Sequence, residues 1–162
     1  MRTKNTRGFT LIELLIVIAI IAILAAAIFV ALDPLRRFKD TRDARRWADT
    51  SNILNAIKVN QVDLKGYYLP KIESAAKGKN LMIGTATGGC DTPACAYTPV
   101  TSATDCIDLT GLVNSGYLGL VPINPGTDWT SAITGYTLMA STSGAITIAA
   151  CDGENYDIKV VR

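Results

Sequence analysis

A single acid, Glu13, lies near the start of an apolar run that extends from Phe9 to Leu32. Thr10 is the only other polar residue in that run. A carboxylate in the middle of a membrane helix costs about 2.5–3.5 kcal/mol, and less near the interface. Glu13 therefore needs a stabilising partner, and the identity of that partner bears directly on what the protein does.

Histidine is absent from the sequence, which removes Ser-His-Asp and Cys-His catalysis and His-ligated zinc. Two other groups of residues could do chemistry. The four thiols could form disulfides in three pairings, whereas their single C-x4-C spacing is a poor zinc signal: Cys90, Cys95, Cys106 and Cys151. Four C-terminal acids have oxygens that suit calcium, but solvated turns explain them more simply: Asp128, Asp152, Glu154 and Asp157. We predict no metal, no cofactor and no enzymatic activity.

The element that must position Glu13 is a long helix. The apolar run has the length that a helix needs to cross the roughly 30 Å hydrocarbon core of a bilayer. An ordinary membrane anchor and a secretory signal peptide are the alternatives. A signal peptide should have an apolar core of about 7–15 residues that ends in a small-residue cleavage site. Here Ala25-Ala26-Ala27 could mimic such a site, but the apolar run continues to Leu32.

The chain begins with a short basic leader that ends at Gly8, and Phe9-Thr10-Leu11-Ile12-Glu13 then opens the apolar run. This arrangement resembles the type IV pilin and pseudopilin family, over about the first fifth of the chain. The resemblance implies that a prepilin peptidase cleaves between Gly8 and Phe9 and that the new amine of Phe9 is methylated. It also implies that Glu13 pairs with the Phe9 amine of a neighbouring subunit during filament assembly.

Simple electrostatics supports this pairing. Cleavage before Phe9 creates an ammonium whose unperturbed pKa is about 7.7–8.0. Such a cation is well suited to offset a carboxylate in apolar surroundings. Because residues four apart share one helix face, Glu13 could also meet the amine of its own Phe9. We expect the pair between subunits, since a stack of identical helices presents an amine to every Glu13.

The leader carries three basic residues, so its removal changes the formal net charge from +2 to −1. Bulk charge is therefore no argument for nucleic-acid binding, and nucleic acid stays an uncertain partner. A second basic cluster follows the apolar run at residues 36–46, so flanking charge does not establish the orientation. The resemblance implies a single-pass precursor in the cytoplasmic membrane, with the leader inside and the domain outside, and then an extracellular or periplasmic filament.

We predict an α+β fold, in which a long N-terminal helix packs on a small C-terminal antiparallel sheet. The predicted segments are a leader at 1–8, a transmembrane and assembly helix at 9–32, an amphipathic continuation of that helix at 33–66, and a globular loop and sheet domain at 67–162. Pro34 predicts a kink or a melted turn, and Gly66 a helix C-cap. Alternating Arg and Asp at 36–49 predict a solvated or subunit-facing helix surface.

Within the domain, residues 81–104 have the composition of a loop, and a short helix is predicted at 109–115 with Asp105 or Asp108 as its cap. Alternation and turn residues predict strands at 133–140, 145–151 and 156–161. Outside the cytoplasm, disulfides are expected. We predict Cys90–Cys95, which closes a small loop, and Cys106–Cys151, which joins the loop region to the second strand of the hairpin.

These features predict a structural subunit of a type IV pilus-like filament. The implied partners are copies of itself in a helical filament, the prepilin peptidase and N-methyltransferase, the inner-membrane assembly platform and the membrane. A pseudopilin of a type II secretion system explains the same residues. A monomeric membrane-tethered binding module is a further alternative, and such a module should tolerate the loss of Glu13.

Overall fold

A computed structural model describes residues 8–90, 95, 99–100, 106–126 and 128–162. The predicted leader lies outside the described residues apart from Gly8, as do much of the predicted 81–104 loop and the candidate cap Asp105. The helices are α1 (Leu11–Leu32), α2 (Pro34–Asp63), α3 (Pro70–Glu73) and α4 (Thr110–Asn114). The strands are β1 (Asn80–Met82), β2 (Tyr136–Ala140), β3 (Ile146–Ala150) and β4 (Lys159–Val161). The predicted α+β fold is confirmed, and the chain forms two compact units, Met1–Phe38 and Lys39–Arg162.

Helix α1 contains 22 residues and buries none of them. At about 1.5 Å per residue it is about 33 Å long. Thr10 is its N-cap, and the Thr10 hydroxyl accepts a hydrogen bond from the Glu13 backbone N–H at 3.3 Å. The Glu13 carboxylate in turn accepts from the Thr10 backbone N–H at 2.8 Å. This reciprocal capping box satisfies two donors at the helix start.

Asp33 separates α1 from α2. Its backbone is left-handed, with φ 37° and ψ 71°. Pro34 takes the first position of α2, where the missing N–H of proline costs nothing. Asp33 Oδ1 accepts from the Arg36 backbone N–H at 3.4 Å, and Arg37 Nε donates to the Leu32 carbonyl oxygen at 3.1 Å. The interruption predicted at Pro34 is therefore present, as a cap between two helices.

The second unit is built on a four-stranded antiparallel sheet in the order β1-β2-β3-β4. The hairpin of β2 and β3 runs from the pair Tyr136↔Ala150 to the pair Ala140↔Ile146. The three predicted strands are present with shorter bounds. Strand β1 was missed, since it lies partly in the segment predicted as loop. A three-residue edge strand shows no alternation of its own, and its pairing with β2 is what specifies it.

The main core lies between α2 and one face of the sheet. Ile53 and Ile57 of α2 share one buried cluster with Leu138 of β2 and Ile148 of β3. Burying each of these side chains stabilises the fold by about 1.5–3 kcal/mol. Helix α2 ends at Asp63, three residues before the predicted end at Gly66. Lys65 and Gly66 follow in left-handed conformations, with φ 58° and 99°, and the Gly66 N–H donates to the Gln61 carbonyl oxygen at 2.8 Å.

A second buried cluster contains all four cysteines, together with Met82 and Trp129. The disulfides are Cys90–Cys106, with Cα atoms 5.4 Å apart, and Cys95–Cys151, with Cα atoms 4.1 Å apart. The predicted pairing of Cys90 with Cys95 and of Cys106 with Cys151 is therefore wrong.

The reason for the observed pairing is a contact between two loop segments. Cys106 N–H donates to the Ala86 carbonyl oxygen, and Gly84 N–H donates to the Ile107 carbonyl oxygen, both at 3.1 Å. These bonds bring the chain before Cys90 alongside Cys106. The short sequence separation of Cys90 and Cys95 gave no information about the contact between Cys90 and Cys106.

Breaking the Cys95–Cys151 bond with paired Cys→Ser substitutions is expected to lower the free energy of unfolding by about 4 kcal/mol, against about 3 kcal/mol for Cys90–Cys106. The larger loss follows from the longer loop, since the sequence separations are 56 and 16 residues. Denaturant unfolding of the full chain in detergent measures both values.

The pairing itself is tested by unreduced digestion with an Asp-specific protease. Cleavage before Asp91 and Asp105 separates Cys90, Cys95 and Cys106 onto different peptides. Mass spectrometry should find the Cys90 peptide linked to the Cys106 peptide. A Cys90 peptide linked to the Cys95 peptide would contradict the structure.

Candidate functional site

The predicted processing and assembly residues form an exposed group at the start of α1. Gly8, Phe9, Thr10 and Glu13 are all exposed. A side-chain carbon added at Gly8 would have no described atom within 4 Å. Within this unit, the Gly8–Phe9 peptide bond is therefore open to an approaching enzyme.

The structure shows which groups hold the Glu13 carboxylate in the uncleaved chain. Its Oε2 atom accepts from both the backbone N–H and the hydroxyl of Thr10, each at 2.8 Å. Thr10 directly follows Phe9, so the carboxylate lies beside the residue that would gain an amine on cleavage. The role of Thr10 was missed in the sequence analysis, although Thr-x-x-Glu before an apolar run is a recognisable capping-box pattern.

The apolar side chains of helix α1 are not covered by any described residue of its own unit. Among the described residues, one helical run, which begins at Leu11, has the length and apolar composition to cross a membrane. All of the α1 side chains are exposed in the single chain. An apolar surface of this size requires lipid or other protein chains around it.

A second group of polar residues, buried or half-buried, lies in the Lys39–Arg162 unit, and we call it the arginine network: Arg42, Asp43, Arg46, Asn124 and Glu154. Its centre is Arg46, whose side chain is 2% exposed. Arg46 Nη1 donates to Asp43 Oδ1 at 2.8 Å and to Glu154 Oε1 at 3.2 Å. Arg46 Nε donates to Asn124 Oδ1 at 2.8 Å. Both Nε and Nη1 of this buried guanidinium thus meet acceptors, as a buried charge requires.

The arginine network ties α2 to the turn that follows β3. Asp43 accepts the backbone N–H groups of Glu154 at 3.1 Å and of Asn155 at 2.8 Å. Arg42 donates through Nε and Nη2 to the two oxygens of Glu154. Gly153 permits the tight turn, because a side-chain carbon there would collide with the Tyr156 carbonyl oxygen.

The prediction that the Arg and Asp residues at 36–49 form a solvated or subunit-facing surface is wrong for Asp43 and Arg46, which are both buried. Their partners Asn124 and Glu154 lie 78 and 108 residues away from Arg46 in sequence. Arg45 fits the prediction better, since its side chain is exposed and its Nε atom lies 3.7 Å from Asp49 Oδ2. Asp49 also accepts from the Tyr136 hydroxyl at 2.8 Å, and burial together with this bond raises the pKa of Tyr136.

Two of the four C-terminal acids, Asp152 and Glu154, have named protein partners in the structure. Asp152 accepts a hydrogen bond from Trp129 Nε1, and Glu154 belongs to the arginine network. Among the described residues, no group of three or more Cys, Asp or Glu side chains is arranged to hold a metal ion.

Glu154 should make the stability of this unit depend on pH. Hydrogen bonds from Arg42 and then Arg46, with their charges, lower the pKa of Glu154 to about 2 in the folded chain, against burial that raises it. The unfolded value is about 4.3. The stabilisation by Glu154 is therefore present above about pH 4.3 and is lost as the pH falls towards 2.

The measurement is denaturant unfolding of the wild type and Glu154→Gln at pH 5 and at pH 2.5. The difference in free energy of unfolding between the two proteins should be larger at pH 5. Glu73→Gln, which changes an exposed acid of α3, is the control and should show little difference at either pH. An equal effect of Glu154→Gln at both pH values would contradict the prediction.

The chain has an exposed apolar helix with an acid in its first turn, and a compact α+β unit follows. These features define a class of proteins with an N-terminal membrane or assembly helix. Residues 3–29 match the family model of the prokaryotic N-terminal methylation motif. This motif, a class III signal peptide, is the hallmark of type IV pilins and pseudopilins. The match includes Gly8, Phe9 and Glu13 and ends within α1. No curated protein and no solved structure gives a significant match to the chain.

Proposed function

We propose that this protein is the structural subunit of a type IV pilus-like filament, cleaved between Gly8 and Phe9 and polymerised through α1. One observation carries the proposal: the methylation motif at residues 3–29 coincides with an apolar helix that has no buried residue. A helix of this kind is suited to lie in lipid before assembly and against identical helices afterwards.

The capping box suggests how cleavage prepares assembly. In the uncleaved chain, the backbone N–H and the hydroxyl of Thr10 donate hydrogen bonds to the Glu13 carboxylate. Cleavage adds a cation at Phe9, the neighbouring residue. When α1 enters a filament and loses contact with water, Glu13 pairs with the Phe9 amine of the adjacent subunit, because an unpaired buried carboxylate is strongly unfavourable.

The motif and the apolar helix fit a membrane-anchored precursor. In this proposal the leader lies in the cytoplasm and the Lys39–Arg162 unit lies outside. A prepilin peptidase, an N-methyltransferase activity and an assembly platform act on the subunit at the cytoplasmic membrane. The two disulfides support an extracytoplasmic location for this unit, since disulfides persist in oxidising compartments. The role is structural rather than enzymatic.

The proposal is tested by mass spectrometry and electron microscopy of cells that express the chain, with and without the assembly ATPase. We expect a mature chain that begins with methylated Phe9 and surface fibres that depend on the ATPase. Absent fibres, together with failed enzyme export when the gene is deleted, would instead assign a pseudopilin of a type II secretion system. An unprocessed chain that begins at Met1 would contradict both assignments.

A further inference from the structure

We propose that residues 35–38, directly after the Asp33-Pro34 interruption, bind anionic phospholipid headgroups on the outer face of the cytoplasmic membrane. The proposal rests on the proposed function, namely that α1 spans this membrane with the leader in the cytoplasm. It adds a specific lipid class and names the side chains that recognise it.

The position of this segment follows from the length of α1. The helix is about 33 Å long, close to the roughly 30 Å thickness of the hydrocarbon core. Its last residue, Leu32, is also the last residue of the apolar run. The polar headgroup layers add about 10–15 Å in total to the two faces of the bilayer. When α1 occupies the hydrocarbon core of the bilayer, the segment 33–38 therefore starts in the headgroup layer.

The side chains of this segment suit such a layer. Leu35 is 73% exposed and Phe38 is 63% exposed, and residues three apart lie on the same side of a helix. The described residues therefore leave most of both side chains uncovered. An exposed apolar pair next to a membrane helix is stabilised by lying against the acyl-chain boundary, as interfacial segments do.

Arg36 supplies a charge that the protein does not neutralise locally. Its side chain is exposed and makes no hydrogen bond or ion pair with any residue in the described part of the chain. The nearby Asp33 carboxylate accepts the Arg36 backbone N–H and caps α2, so its charge faces the positive end of that helix. Arg37 adds a second guanidinium, which also donates to the Leu32 carbonyl oxygen.

These features favour an anionic lipid over a neutral one. A guanidinium matches the geometry of a phosphate and binds it with two parallel hydrogen bonds. All phospholipids carry a phosphate, but only anionic headgroups retain a net negative charge to attract the cation. Each basic residue near an anionic surface strengthens binding by about fivefold, or about 1 kcal/mol. Headgroups held in this way would keep the subunit in the membrane until assembly removes it.

The test uses the full chain reconstituted in phosphatidylcholine bilayers that contain spin-labelled phosphatidylglycerol or spin-labelled phosphatidylcholine. Electron paramagnetic resonance measures how strongly each lipid associates with the protein. We expect phosphatidylglycerol to be preferred by about fivefold or more in the wild type. Arg36→Gln should reduce that preference about fivefold, and Arg36→Lys should restore most of it. Lys77→Gln removes an exposed cation from the other unit and is the matched control, with no expected change.

Equal association of the two lipids with the wild type would overturn the proposal, as would an unchanged preference in Arg36→Gln. Both results would leave the membrane helix itself intact, because lipid of either kind would still be immobilised around α1. An absence of immobilised lipid of both kinds would show that α1 does not span the bilayer. That result would refute the membrane step of the proposed function together with this inference.

Discussion

Replacing Arg46 by Met is expected to lower the free energy of unfolding of the Lys39–Arg162 unit by about 3–5 kcal/mol. The Met side chain fills much of the same space, so the loss comes mainly from Asp43, which stays buried as an uncompensated charge. Glu154 keeps its bonds to Arg42 and is affected less. Denaturant unfolding of the full chain in detergent, followed by circular dichroism, measures this loss.

Arg45→Met is the matched control for this prediction. Arg45 lies one residue earlier on the same helix, but its side chain is 63% exposed and its pair with Asp49 is a surface ion pair. Such pairs contribute about 0–1 kcal/mol. A loss after Arg45→Met as large as that after Arg46→Met would contradict the burial argument.

A double variant tests whether the charge of Asp43 outweighs its role as a hydrogen-bond acceptor. Asp43→Asn removes the negative charge and keeps only one of the two oxygens, Oδ1 and Oδ2, that accept the backbone N–H groups of Glu154 and Asn155. In the wild-type background this change should destabilise the unit, because it weakens the pair with Arg46. In the Arg46→Met background the same change should be stabilising. The same sign in both backgrounds would show that the buried charge is not the dominant effect.

Replacing Glu13 by Gln is expected to leave the protein in the membrane and to abolish its incorporation into filaments. Gln retains an oxygen that can accept the Thr10 N–H, so the capping box and the start of α1 should be preserved. Only the charge is lost, and with it the proposed ion pair to the Phe9 amine of a neighbouring subunit. Membrane fractionation and immunoblotting of sheared filaments measure the two outcomes separately.

Thr10→Val provides the complementary control. It removes the hydroxyl that caps α1 but leaves the Glu13 charge intact, at a cost to the helix start of about 1 kcal/mol. We expect its filament yield to fall far less than that of Glu13→Gln. A normal yield of filaments from Glu13→Gln would refute the ion-pair mechanism. A Glu13→Gln protein that keeps its function at the membrane without forming filaments would favour a monomeric binding module.

The parts of this protein that were predicted correctly depend on short stretches of sequence. The apolar run specifies α1 because every residue from Leu11 to Leu32 except Glu13 is apolar. The hairpin of β2 and β3 follows from alternating side chains around a turn at residues 141–144. The Thr10–Glu13 capping box was also available from residue types three positions apart, although it was overlooked. In each case the interacting groups are neighbours in the chain, so local pattern carries the information.

The tertiary structure alone decided how the cysteines pair and which charges of α2 are buried. Cys95 bonds to Cys151, 56 residues away, because folding brings Cys95 next to the residue that follows β3. Asp43 and Arg46 belong to the same alternation of Arg and Asp as the exposed Arg45, and nothing in that pattern distinguishes them. Whether a charge is buried depends on what packs over it, and here Asn124 and Glu154 arrive from distant parts of the chain. The sequence by itself therefore determined the apolar helix with its N-terminal methylation motif. The fold of the second unit determined the ion network that stabilises this unit.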